Sequence, residues 1–140
     1  MSQEKKGRVL VVDDEPAIRA LVAKIVERAG FGVDVAADGS EAIEKVNQTD
    51  YAVIVLDLMM PAVSGYEFVD FLDQRAGKRP SVIVITAAAE ASLTRQLDPA
   101  IVHSIVRKPF DISVLADLVT AAASAQPAGA DDTNVLQFRR

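Results

Sequence analysis

Five short runs of β-branched and aliphatic residues alternate along the chain with segments of helical periodicity. That alternation constrains the fold more tightly than any other feature. The runs are Val9–Val12, Val33–Ala37, Ala52–Leu56, Val82–Ile85 and Ser104–Val106. The first, third and fourth are continuous rather than interleaved with polar residues, as expected of strands covered by helices on both faces. The second is broken by Asp34, which suits a sheet edge.

The intervening segments have the other period. Pro16 stands where a first helical turn tolerates proline, and Ile18, Leu21, Val22, Ile25, Val26 and Ala29 then recur at helical spacing up to Gly30. Ala42, Ile43 and Val46 mark a second helix, and Phe68, Val69, Phe71 and Leu72 a third that starts near Gly65. Leu93, Leu97 and Ile101 give a sparser fourth in a polar, alanine-rich setting. Ile112, Leu115, Leu118, Val119 and Ala122 give a fifth, opened by Asp111 as N-cap. Five strand–helix repeats place the chain in the α/β class. The expected architecture is a doubly wound, five-stranded parallel sheet of order 2-1-3-4-5, a flavodoxin-like arrangement.

A length of 140 residues suits one domain with a real core. The expected division is an extension over 1–7, a domain over 8–125 and a linker-like tail over 126–140, where Gln126-Pro-Ala-Gly-Ala-Asp-Asp132 begins. Cysteine is absent, which excludes disulfides and thiolate metal sites. The first seven residues hold no apolar stretch of the signal-peptide kind, and no run approaches membrane-spanning length. A cytoplasmic location without membrane contact is therefore expected. The net charge of −5 argues against a nucleic-acid partner, since phosphate backbones are gripped by an excess of lysine and arginine.

In a doubly wound sheet, ligands bind beyond the carboxyl ends of the strands, where the crossover direction switches. Here that point lies between the first and third strands, which run into Asp13-Asp14 and Asp57. The fourth strand runs into Thr86 and the fifth into Lys108. Clustered carboxylates repel one another and call for positive charge. Three carboxylates with no soft ligand suit a hard ion such as magnesium. Asp57, central among them, is placed to attack phosphorus and become an acyl phosphate, with Lys108 and the Thr86 hydroxyl holding phosphate oxygens. Glu15 reads as a first-turn residue favoured by the helix dipole, with a minor role near the metal. His103, with no second metal-type ligand at useful spacing, reads as structural.

The motifs Val-Asp13-Asp14-Glu-Pro, Leu-Asp57-Leu-Met-Met-Pro61 with Gly65, Ile-Thr86-Ala87 and Lys108-Pro109-Phe110 together resemble the receiver domain of two-component response regulators, of the single-domain type, over roughly Arg8 to Ala125. The resemblance implies a phospho-accepting Asp57 and a phosphate site of Thr86, Ala87 and Lys108. It also implies magnesium held by Asp14 and Asp57, by Asp13 through water, and by the Met59 carbonyl. It further implies a cis Lys108–Pro109 bond. The implied phosphodonor is a phosphohistidine of a sensor histidine kinase or histidine phosphotransfer protein. The implied output is an unknown downstream protein that reads the surface of the fourth predicted helix, the fifth strand and the fifth helix. Beyond its own aspartyl phosphorylation and dephosphorylation, no enzymatic activity is expected.

Departures from the family pattern carry expectations too. Ile105 stands where the family usually has a switching Tyr or Phe, so switching is assigned to Thr86. Met59 and Ala88 flank the site without a group that orients an attacking water, so dephosphorylation is expected not to be specially fast. The alternative reading is a phosphorylation-independent protein-interaction module on the same fold.

Overall fold

Side chains that must be buried on both sides of a sheet dictate three layers. The computed structural model describes residues 7–58, 65–75, 79–87 and 100–124. Within them the apolar runs are strands β1 (Arg8–Val12), β2 (Gly32–Ala36), β3 (Val53–Asp57), β4 (Ser81–Thr86) and β5 (Val102–Arg107). The described helices are α1 (Pro16–Arg28), α2 (Gly39–Gln48), α3 (Gly65–Gln74) and α4 (Ile112–Ser124). All strand pairs are parallel, and the sheet order is β2-β1-β3-β4-β5, as the alternation implied.

Successive strand residues point to opposite faces, and the two faces build two cores. Leu10, Val12, Ile54, Leu56, Val82 and Val84 pack with Ala42, Val46, Phe68, Val69 and Leu72 of α2 and α3. Val9, Val11, Val53, Val55, Ile83 and Ile85 pack with Val22, Ile25 and Val26 of α1 and Leu115, Val119 and Ala122 of α4. Full burial of each such aliphatic side chain stabilises the fold by roughly 1.5–3 kcal/mol. This explains why the central strands carry polar residues only at their ends.

Helix ends follow local chemistry. The Asp38 side chain caps α2 by accepting the Glu41 N–H at 2.8 Å, and the Glu41 carboxylate accepts the Ala37 N–H at 2.8 Å. Gly30, at φ 104°, turns the chain out of α1 in a conformation that favours glycine. Asp111 opens α4 as expected, accepting the N–H groups of Ser113 at 2.8 Å and Val114 at 3.3 Å.

Two expectations are corrected in β5 and before it. The strand begins at Val102 rather than Ser104, because a register shift passes over His103: Val82 faces Val102, while Ile83 faces Ser104. Such an irregularity breaks the two-residue period that a sequence reading follows. The His103 ring is buried there, its Nδ1 2.6 Å from the Ser104 hydroxyl. Ile101, assigned by spacing to the fourth helix, lies instead in the turn entering β5, buried against the core beneath α2 and α3. Leu93 and Leu97 lie outside the described residues, as do residues 1–6 of the predicted 1–7 extension and the tail from 126 onward.

The polar break in β2 has a structural use. The Asp34 carboxylate accepts from the Arg8 guanidinium at 2.7 Å and from the Tyr51 hydroxyl at 2.7 Å, tying β2 to β1 and to the start of β3. The Arg8 bond holds Asp34 below the usual carboxylate range, while burial and the Asp34 bond push Tyr51 up to about 12. A lowered folded-state value means that ionised Asp34 stabilises the fold at neutral pH, and that this contribution fades as pH falls through that value. Asp34→Asn should therefore cost about 1 kcal/mol or less near neutrality, as Arg8 is half exposed. Thermal melts across acidic pH should show the gap from wild type closing below roughly pH 3.9.

Candidate functional site

Parallel register brings the polar strand ends to one rim. Asp13 and Asp14 follow β1, Asp57 ends β3, Thr86 ends β4 and Lys108 follows β5. Val12 lies opposite Leu56, Asp57 opposite Ile85, and Thr86 opposite Arg107, so the carboxylates, the hydroxyl and the ammonium leave the sheet at similar height. Backbone bonds continue the ladders beyond the strands. The Asp13 N–H donates to the Ala36 carbonyl at 3.1 Å, and the Lys108 N–H donates to the Thr86 carbonyl at 3.0 Å.

Gly65 lets α3 start directly on this rim. Its N–H donates to the Leu58 carbonyl at 3.1 Å. A Cβ there would stand 2.6 Å from the Leu58 Cα and 2.9 Å from the Asp57 carbonyl oxygen, closer than real Cβ atoms come. The position requires glycine because a helix N-terminus is pressed against the backbone that carries Asp57.

The site itself is acidic and mostly buried. One carboxylate oxygen from each of Asp13, Asp14 and Asp57 lies within 4.8 Å of the others. Asp13 and Asp57 are buried and Asp14 is exposed. Burial pushes the Asp13 carboxyl up to about 6, the Glu15 N–H opposes that shift, and the neighbouring Asp57 charge adds to it. The ammonium of Lys108 stands 3.6 Å from Asp57 Oδ2 and 4.0 Å from Asp13 Oδ2. Burial works against the lysine's charge, but Asp57, Asp13 and Glu15 together leave its pKa raised. An all-oxygen donor set open to solvent at Asp14 fits a hard divalent cation. Mutual repulsion within that set gives a cation something to relieve.

Thr86 is buried and Ala87 is exposed just beyond it. The Lys108–Pro109 bond is cis. Ile105 is half-buried on the face that α2 and α3 cover. Met59 and Ala88 lie outside the described residues. Two neighbours were not given their contacts by the sequence. Arg19 donates to the Asp13 carbonyl at 2.8 Å, anchoring the loop that carries the acidic pair. Glu15, assigned to the first helical turn, is the N-cap residue, and its carboxylate reaches Lys108 at 3.4 Å. A sequence separation of 93 residues hides that contact from any local pattern.

Comparison with known proteins agrees with this geometry. A family profile described as "Response regulator receiver domain" matches residues 9–120. Transcriptional regulatory protein ResD of Bacillus subtilis is 36% identical over 110 residues, covering 79% of this chain and 45% of ResD. Transcriptional regulatory protein TcrA of Mycobacterium tuberculosis is 33% identical over 108 residues, covering 77% of this chain and 42% of TcrA. The chain thus spans less than half the length of these curated relatives. Among solved structures, the receiver domain of Francisella response regulator 1452 superposes with a TM-score of 0.76 at 29% identity, covering 84% of this chain and 96% of that one. Vibrio cholerae chemotaxis protein CheY4 gives a TM-score of 0.74 at 30% identity, covering 82% and 97%. Among the described residues, no helix is long and apolar enough to cross a membrane. The chain belongs to the response regulator receiver domain family of two-component systems.

Proposed function

We propose that this receiver accepts a phosphoryl group on Asp57 from a phosphohistidine of a sensor histidine kinase or histidine phosphotransfer protein, and that the acyl phosphate changes which partners it binds. The observation that carries this reading is the Lys108 ammonium 3.6 Å from the buried Asp57 carboxylate, beside two further aspartates. An Asp57 oxygen attacks phosphorus, the phosphorus–nitrogen bond to the donor imidazole breaks, and the departing imidazole keeps the electron pair and takes a proton. Lys108 meets the charge on the transferred group, and the Thr86 hydroxyl and Ala87 backbone hold its oxygens. Magnesium held by Asp13, Asp14, Asp57 and the Met59 carbonyl would neutralise charge between carboxylates and phosphoryl group. Thr86, drawn toward the phosphoryl group, then carries the change toward Ile105 and the surface of the fourth predicted helix, β5 and α4. The protein is in this reading no enzyme beyond its own phosphorylation and dephosphorylation. Its acidic balance speaks against gripping nucleic acid itself, so in a regulator like ResD any such contact would fall to chain beyond the matched share.

Incubation with a panel of autophosphorylated kinases tests the reading directly. Label should appear on wild type, be released by hydroxylamine as an acyl phosphate, and vanish in Asp57→Asn. Absence of label from every donor, together with unchanged partner affinity in Asp57→Ala, would favour a constitutive interaction module.

The proposed donor docks on the groove between α1 and α4. Leu21 on α1 is 40% exposed and Ile112 on α4 is 56% exposed. They border a groove of about 330 Å³ that continues along Ile25, Ala29 and Ala116. Leu21→Ala and Ile112→Ala should each slow transfer from a phosphorylated protein by about tenfold, the scale of an interface anchor. Phosphorylation by a small donor such as acetyl phosphate should stay at the wild-type rate.

Divalent cation and pH should act in opposition. Asp13 has its folded-state pKa raised to about 6, above the ordinary aspartate value, so its contribution to stability is full at low pH and is lost as pH rises through about 6. For this group alone, metal-free protein should be more stable near pH 5 than near pH 7.5 (roughly). Added magnesium should raise the melting temperature most at the higher pH, and magnesium affinity should fall on acidification as protons compete. Calorimetry with and without chelator checks both. A magnesium effect independent of pH would contradict the assignment of Asp13.

A further inference from the structure

Glu15 is an acidic side chain at the rim that the proposed reaction does not use. It sits at the N-cap of α1, immediately before Pro16, yet its carboxylate makes no capping hydrogen bond. Its backbone N–H donates to Asp13 Oδ1 at 2.9 Å, which holds the loop but leaves the side chain free to turn elsewhere. The carboxylate crosses to the far side of the site, where Oε1 lies 3.4 Å from Lys108 Nζ.

The three acidic contacts of that ammonium are unlike. The Asp13 and Asp57 side chains are 3% and 5% exposed, whereas Glu15 is 61% exposed. Lys108 is thus gripped from within by two buried carboxylates and from the solvent side by one exposed acid. An ammonium has three donors, and phosphoryl oxygens on Asp57 would need them. Any oxygen that arrives there competes with Glu15 for the same group.

We propose that Glu15 is a positioning residue, a tether that holds the Lys108 ammonium at the rim of the unphosphorylated protein and must let go when the lysine turns to the phosphoryl group. Glu15 thereby sets how readily the phosphorylated arrangement forms. The inference rests on the assignment of Asp57 as acceptor and Lys108 as its partner.

Fluoroberyllate, which binds a carboxylate as a phosphoryl group would, separates the possibilities when titrated at saturating magnesium and followed by the amide signals of Thr86 and Ala87. Glu15→Gln removes the charge and leaves only a neutral amide oxygen to hold the ammonium. Glu15→Asp keeps the charge but is one methylene too short to reach. Both variants should bind fluoroberyllate about two- to fivefold more tightly than wild type, the scale of an ion pair with one exposed partner. Magnesium alone, titrated without fluoroberyllate, should bind more weakly to Glu15→Gln and as in wild type to Glu15→Asp. Amide spectra before titration establish that each variant is folded.

Tightening in Glu15→Gln with wild-type affinity in Glu15→Asp would mean a field effect and overturn the tether. So would equal or weaker affinity in both variants. Wild type that binds no fluoroberyllate would remove the phosphoryl reading itself and the tether with it, an outcome distinct from wild-type binding that Glu15 fails to modulate.

Discussion

Placing two aspartates in the buried end of a hydrophobic sheet is the constraint on which the rest of the site depends. Asp57 closes a strand whose other residues are fully buried, and Asp13 follows another. Neither can be charged there without compensation, and removing an ion from water costs several kcal/mol even after relaxation. The chain answers with Lys108, delivered from a strand two places away in the sheet and itself largely buried. That answer is partial. One ammonium stands among three carboxylates of its own contacts, Asp14 adds a fourth acid at the edge, and Asp13 remains far from its ordinary protonation range. A site left short of positive charge is one that a cation and a lysine can share with an incoming phosphoryl group.

The fold makes the shortage possible without loss of order. The two apolar layers are continuous beneath the site, so the strand ends are positioned by packing rather than by the charges they carry. Gly65 presses the start of α3 against the Asp57 backbone, and Arg19 of α1 holds the Asp13 carbonyl. Helices from both faces thus fix the acidic loop geometry from either side. Preorganisation of this kind lets electrostatics act on a reacting group without first rearranging the protein.

Most of this was legible in the chain because it is written in period and position. Continuous aliphatic runs identified the buried strands, and their polar final residues identified the rim. Asp34 was legible as a mark of the sheet edge, though its bonds to Arg8 and Tyr51 were not. What stayed hidden falls into two kinds. At β5 the register shift over His103 breaks the two-residue period, so the alternation predicts too short a strand and the spacing places Ile101 in a helix. At Glu15 the local context, an acid before proline at a helix start, has a sufficient explanation in the helix dipole. The contact with Lys108 depends on where β5 ends in space, which no spacing in sequence encodes.

In the proposed reaction Lys108 would define two arrangements of one site. Without a phosphoryl group its ammonium is divided between buried Asp13 and Asp57 and exposed Glu15. With one, as proposed, the same donors would face new oxygens on Asp57. A ligand shifts such an equilibrium only by its difference in affinity for the two arrangements, so every contact made in the first subtracts from the drive toward the second. Buried Asp13, which keeps its carboxylate in both arrangements, changes little between them. An exposed acid that touches the lysine in only one of them bears directly on the balance. On that argument the rim residue nearest solvent, rather than the deepest carboxylate, is where receivers sharing this core can differ in how easily they are switched.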